Sequence, residues 1–164
     1  MTPARLMILL VISLILTACA SGPAFNREGV NRDLDARTAA AGGVTDTTVI
    51  WGGPILDTKP QEETTQLEIL AYPLDRSERP QVDRGSTGRF LAVADGYLEP
   101  ADYAAGRQVT VRGELTDTRQ ATIGEADYRY PVVTTDTIHL WPRDSGGGSS
   151  RPRIHLGIGV GILR

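Results

Sequence analysis

From Thr64 to Leu74 the chain alternates: Thr65, Leu67, Ile69 and Ala71 share one face of an extended segment, and Gln66, Glu68, Leu70 and Tyr72 share the other. Successive strand side chains point to opposite faces, so this period of two predicts a strand with one buried face. Val49, Trp51, Gly53 and Ile55 repeat the pattern, as do Val109, Val111, Gly113 and Leu115. Arg89–Ala94 and Val132–Trp141 complete a set of five short strands. Proline and charge in Lys59–Glu63 supply the first turn, and Asp75–Gly88 reads as a charged loop.

Between the third and fourth strands, Asp95–Gly106 is the best helix candidate after the N-terminal apolar run, with early acids, Pro100 near its start and Gly106 for a left-handed cap. Thr116–Tyr130 reads as an irregular hairpin or loop around Gly124. Five strands with a short helix after the third is the order of an OB-like barrel. The expected fold is therefore mainly β, a small OB-like five-stranded barrel with one short helix. Closure removes most exposed edges, which lets so short a domain bury its strands without disulfides. Val49–Ile55 and Val109–Leu115 also echo one another, each with a glycine that permits sharp coiling.

The flanks differ in character. Arg5 precedes a nearly unbroken apolar run from Leu6 to Leu16, which as a helix of about 16 Å is too short for a hydrocarbon core of about 30 Å. It reads as a secretory signal. The chain's one cysteine, Cys19, ends Leu16-Thr17-Ala18-Cys19, which resembles a bacterial lipobox cut before a diacylglyceryl cysteine. Ala18-Cys19-Ala20 also satisfies an ordinary signal peptidase, but that reading leaves the thiol without a purpose. Lipoproteins retained in the inner membrane commonly carry aspartate after the cysteine, and Ala20 here points to the outer membrane.

The expected organisation is a signal peptide over 1–18, a flexible lipidated tether over 19–46, a barrel domain over 47–143, and a Gly/Ser linker with an apolar-glycine tail over 144–164. A short helix over Asn31–Ala41 is compatible with the tether's composition. In the tail, Ile154, Leu156, Ile158, Val160 and Ile162 occupy every second position, which suits strand pairing with an envelope protein or a second copy.

The formal net charge is −3, and loss of residues 1–18, whose one charged side chain is Arg5, makes it one unit more negative. An acidic domain has no general attraction for nucleic acid, and the aromatics expected of a single-strand platform are missing. No GxSxG elbow, HExxH helix or Walker loop occurs. His139 with Asp136 is not a diagnostic metal spacing, and Gly157–Gly161 has no helix after it to hold phosphate. A carboxylate pair such as Glu114 with Asp127 lacks a cleft to act in. No cofactor, metal or catalytic residue is therefore expected, and the chain reads as a non-enzyme. Trp51, Trp141, Arg76 and Arg79 are the candidates for a ligand or partner surface, although acids interleave with the arginines.

The blocks Trp51-Gly52-Gly53-x-Ile55, Leu67-Glu68-Ile69 with Tyr72-Pro73-Leu74-Asp75, Gly88-Arg89-Phe90-Leu91-Ala92, Gly96-Tyr97-Leu98-Glu99-Pro100-x-x-Tyr103 and Val109-Thr110-Val111-x-Gly113 resemble the Slp family. That resemblance covers about Val49 to Trp141. It implies a starvation-inducible outer-membrane lipoprotein of a Gram-negative bacterium, bound to lipid through Cys19 and supporting the envelope under stress. It offers no catalytic residues to transfer. A periplasmic ligand-binding module for a glycan, peptide or lipid is the alternative.

Overall fold

A computed structural model describes Pro23 and residues 25–143. Five strands, β1 (Thr47–Pro60), β2 (Thr64–Ala71), β3 (Gly88–Asp95), β4 (Gln108–Ile123) and β5 (Ala126–Leu140), close a barrel in the order β1-β2-β3-β5-β4. All pairings are antiparallel except β3 with β5, so the mainly β, OB-like architecture read from the strand pattern holds. Closure depends on β1 serving two neighbours. Thr47–Pro54 pairs with β4, and Ile55–Pro60 pairs with β2. A register shift between Ile55 and Asp57 marks the bend, as an extra strand residue does in a bulge.

The two echoing segments face each other across the β1–β4 ladder, Val49 opposite Gly113 and Gly53 opposite Val109. Their glycines are sites of close backbone approach. A Cβ on Gly53 would lie 1.8 Å from the Leu70 carbonyl oxygen, and one on Gly113 would lie 2.3 Å from that of Thr134.

Alternation in β2 is realised residue by residue, with Thr65, Leu67, Ile69 and Ala71 buried. Together with Val49, Ile55, Phe90, Val109, Val111, Leu115 and Val133 they fill the interior, where Trp51 meets Phe90 edge-on at 5.3 Å. A smaller apolar cluster lies apart from it: Leu91, Tyr130 and Val132 pack with Val93, Ile123 and Tyr128.

Three expectations are corrected. The helix anticipated over Asp95–Gly106 is a series of turns, in which Asp102 and Tyr103 donate to the Glu99 carbonyl and the chain goes no further as a helix. Leu98 and Tyr103 still reach the core, and the turns tie to the barrel through Thr65 and Thr58 hydroxyls. Among the described residues the helix is α1 (Ala36–Gly42), which overlaps the C-terminal half of the short helix read over Asn31–Ala41 and is capped by Asp35, whose side chain accepts from Thr38 N, and by Gly43 at φ 61°. Its alanines make the docking possible. Ala36 and Ala39 are fully buried beside β3 and β5, with no long side chain to hold the helix off. Thr116–Tyr130, expected to be irregular, is a regular extension of the β4–β5 hairpin out to Ile123 opposite Ala126, closed by Gly124 at φ 62°.

The third correction concerns the tether. From Phe25 onward the chain lies on the barrel: Phe25 is buried, Asn31 N donates to Thr48 O at 2.9 Å, and Trp51 Nε1 donates to Leu34 O at 2.8 Å. The expected Gly/Ser linker and tail, with the signal segment and Cys19, lie outside the described residues.

Candidate functional site

The loop between β2 and β3 builds the most unusual side-chain environment in the described chain. Asp75 organises it, because its Oδ1 accepts from Ser77 N at 2.7 Å and Arg79 N at 3.0 Å. An acid that bonds the backbone two and four residues on stabilises a tight turn. Leu74 then bridges Pro80, and Gln81 N donates to Pro73 O, so the loop doubles back as a miniature hairpin. Glu78 sits in it at φ 63°, a left-handed conformation that non-glycine residues seldom adopt.

That conformation accompanies a Glu78 that is 1% exposed. Its carbonyl accepts from the buried Thr110 hydroxyl at 2.6 Å, and Thr110 Oγ1 in turn accepts from Trp141 Nε1 at 2.9 Å. The carboxylate oxygen Oε1 meets Arg27 Nε at 2.9 Å and the Arg32 guanidinium. The second oxygen, Oε2, is buried and has no protein partner. An ionised carboxylate can accept about four hydrogen bonds, so this one retains unused acceptor capacity.

Glu78 borders a cleft of ≈ 310 Å³, whose lining includes Leu34, Ile50, Trp51, Tyr72, Leu74 and Arg32. Arg32, Leu34 and Asp35 of this wall come from the N-terminal segment, and the rest comes from β1 and the β2–β3 loop. A second hollow of ≈ 410 Å³ lies between Ala104–Gln108 and Pro142–Arg143, beside the unpartnered buried atoms Arg107 Nε and Gln108 Oε1.

The four surface candidates are not one patch. Trp51 and Trp141 are 6% and 7% exposed, and both spend their indole N–H on internal acceptors. Neither is an open stacking platform. The structure does bring Arg79 over the Trp141 ring at 5.4 Å, within the range of a cation–π contact. Arg76 is exposed, and its carbonyl accepts from Arg27 at 3.1 Å. On the other side of Trp141, His139 packs edge-on at 4.4 Å, and burial lowers its pKa below the usual 6.5.

Sequence reasoning missed Arg27, Arg32 and Glu78. Glu78 looked like one of the acids that neutralise the neighbouring arginines, whereas its partners come from the segment taken as a tether. The φ-positive turn is the only local feature of Glu78 that sets it apart, and it has no sequence signature.

A separate polar knot fixes the β4–β5 hairpin. Arg89 Nη1 and the Tyr130 hydroxyl each donate to Glu68 Oε1 at 2.9 Å, and the Tyr128 hydroxyl accepts from Arg89 N at 2.8 Å. Burial, reinforced by the Glu68 carboxylate, raises the Tyr130 phenol above its ordinary pKa of 10.0. Among the described residues no group of His, Cys, Asp and Glu side chains is arranged to hold a metal ion.

The chain is 38% identical over 95 residues to an uncharacterized protein of Haemophilus influenzae, covering 57% of this chain and 51% of that one. It is 34% identical over 91 residues to the uncharacterized lipoprotein YeaY of Escherichia coli K12, covering 56% and 47%. Both alignments thus span about half of the relative. The outer membrane protein Slp of Escherichia coli K12 is 26% identical over 138 residues, 82% of this chain and 73% of that one. Among solved structures, a small single-stranded DNA-binding protein of Streptomyces coelicolor aligns at TM-score 0.37 and 13% identity, over 60% of this chain and 96% of that one. Pot1pC of Schizosaccharomyces pombe, bound to single-stranded DNA, aligns at 0.30 and 9%, over 76% and 91%. Likenesses that remote carry no argument about function. Residues 16–154 match the family model described as outer membrane lipoprotein Slp family, and the chain belongs to that family.

Proposed function

We propose that this protein is anchored in the outer membrane by acyl chains on Cys19, faces the periplasm, and supports the envelope under starvation or stress without catalysing a reaction. The observation that supports it most directly is the position of the family match, which begins at Leu16, the first residue of the lipobox-like Leu16-Thr17-Ala18-Cys19. One acyl chain gives only marginal membrane binding, whereas two or more give stable anchoring. Acylation of Cys19 therefore makes the attachment effectively permanent. Labelled palmitate should enter the wild-type protein and not Cys19→Ser, and the variant should leave the outer-membrane fraction. Wild-type protein that takes up no label ends this reading.

The cleft beside Glu78 supports a second role, the binding of a small ligand with an apolar body and one hydrogen-bond donor. Leu34, Ile50 and Trp51 supply apolar wall, and Glu78 is the one fully buried acid there. Titration of the labelled protein with glycan, peptide and lipid fragments, followed by amide and Trp51 indole shifts, tests it. Shifts confined to other surfaces would exclude the cleft.

A further inference from the structure

The docked N-terminal segment sets how far the barrel can stand from a membrane. Asn26 O accepts from Arg112 Nε at 2.9 Å, Arg27 reaches both Arg76 O and Glu78 Oε1, and Asn31 N bonds Thr48 O. These contacts fix the chain to β4, to the β2–β3 loop and to β1 within six residues. Phe25, just before them, is buried. Only six Cα-to-Cα steps separate Cys19 from Phe25, and at no more than about 3.6 Å each they span roughly 22 Å. Had the chain been free as far as Asp46, the reach would be about 95 Å.

We infer that the membrane surface is the partner of the barrel face made by Phe25–Arg27 and the Asp75–Arg79 turn. This rests on the reading that Cys19 carries the lipid, since the thioether then sits at the level of the headgroups. The short span holds this face towards the bilayer and turns the β1–β2 connection, at the other end of β1, away from it. Thr110, under the Glu78 loop, pairs with Gly52, and Glu62 lies ten residues further on, beyond the Ile55/Asp57 bend and past the end of β1. Charge is not what selects the face, because Arg27, Arg32, Arg76, Arg79 and Arg112 are accompanied by Glu28, Asp33, Asp75, Glu78 and Asp136. Chain length selects it. Arg76, exposed at its edge beside Arg27, is the side chain placed to meet headgroup phosphates.

Because acylation consumes the one native cysteine, a single introduced cysteine reports one position. Acylated Ser77→Cys and Glu62→Cys, both at exposed sites, are labelled with a fluorophore and added to phosphatidylethanolamine–phosphatidylglycerol vesicles carrying a headgroup-linked quencher. The Ser77 label is expected to be quenched several-fold more than the Glu62 label. Inserting ten Gly/Ser residues before Pro23 should remove the difference while the protein still floats with the vesicles. Flotation with equal quenching at the two sites, or a difference that survives the insertion, overturns the inference alone. Protein that does not float refutes the Cys19 reading and the inference together.

Discussion

Arg27 Nε lies 2.9 Å from Glu78 Oε1, joining an arginine that is half exposed to a carboxylate that is almost wholly buried. The asymmetry decides what each partner is worth. Removing both arginines, Arg27 and Arg32, strands a buried charge, which typically costs about 3–5 kcal/mol, and their exposure puts the expected value near the lower bound. Removing the charge itself leaves two arginines that water can solvate. Arg27→Ala/Arg32→Ala should therefore lower the unfolding free energy by about 3 kcal/mol and Glu78→Gln by about 1 kcal/mol in urea titrations. The opposite order would show that the arginines do not support the carboxylate.

Gly53 tests barrel closure. A Cβ there meets the Leu70 carbonyl at 1.8 Å, a backbone atom that cannot swing aside. Gly53→Ala should cost about 3 kcal/mol or more and lose the cooperative melt, because overpacking forces the β1–β2 corner open. Gly85→Ala, with nothing within 4 Å, should stay within about 0.5 kcal/mol of wild type by the same measurement.

The inside–outside assignment predicts that Leu67→Ala, at a fully buried site, costs about 2–5 kcal/mol, while Thr122→Ala on the exposed hairpin is close to neutral. Equal melting temperatures for the two variants would mean that the period of β2 was assigned to the wrong face.

Tyr130→Phe removes one of the two donors to Glu68 Oε1 and leaves Arg89 in place. A loss of about 1 kcal/mol is expected. Amide exchange should rise in residues 119–128 and not in β2, since the hydroxyl ties the hairpin to the barrel. Uniform acceleration would show that the hairpin has no separate anchorage.

His139 has its pKa lowered by burial, so its neutral form is favoured in the folded state. Between the lowered folded value and the unfolded value of about 6.5, the unfolded chain binds more protons, and stability must rise with pH across that window. Stability is therefore complete above about pH 6.5 and falls as the medium is acidified. His139→Gln should flatten this part of the pH–stability curve, and an unchanged slope would assign it to other groups.

The period of two in Thr64–Leu74 and the two Val–Gly segments marked β2 and the inner halves of β1 and β4 with their buried faces, because each signal is local and repeats within one element, and the order of five strands pointed to the barrel. The echo of Val49–Ile55 in Val109–Leu115 also singled out Gly53 and Gly113, read there as permitting sharp coiling, whereas in the fold each faces a neighbouring backbone carbonyl too close for a Cβ, Leu70 O and Thr134 O.

Tertiary structure alone decided the rest. The Ala36–Gly42 helix has only alanines to bury, so its preference for the barrel surface is invisible until a fitting surface exists. The outer half of the β4–β5 hairpin shows little alternation because most of its side chains face water, and pairing to the opposite strand holds it straight. Glu78 carried no mark in the sequence because its charge is balanced by Arg27 and Arg32, distant along the chain, and ion pairs between distant residues leave no periodicity. Sequence determined which residues turn inward; only the closed barrel decided which distant segments its outer surface would hold.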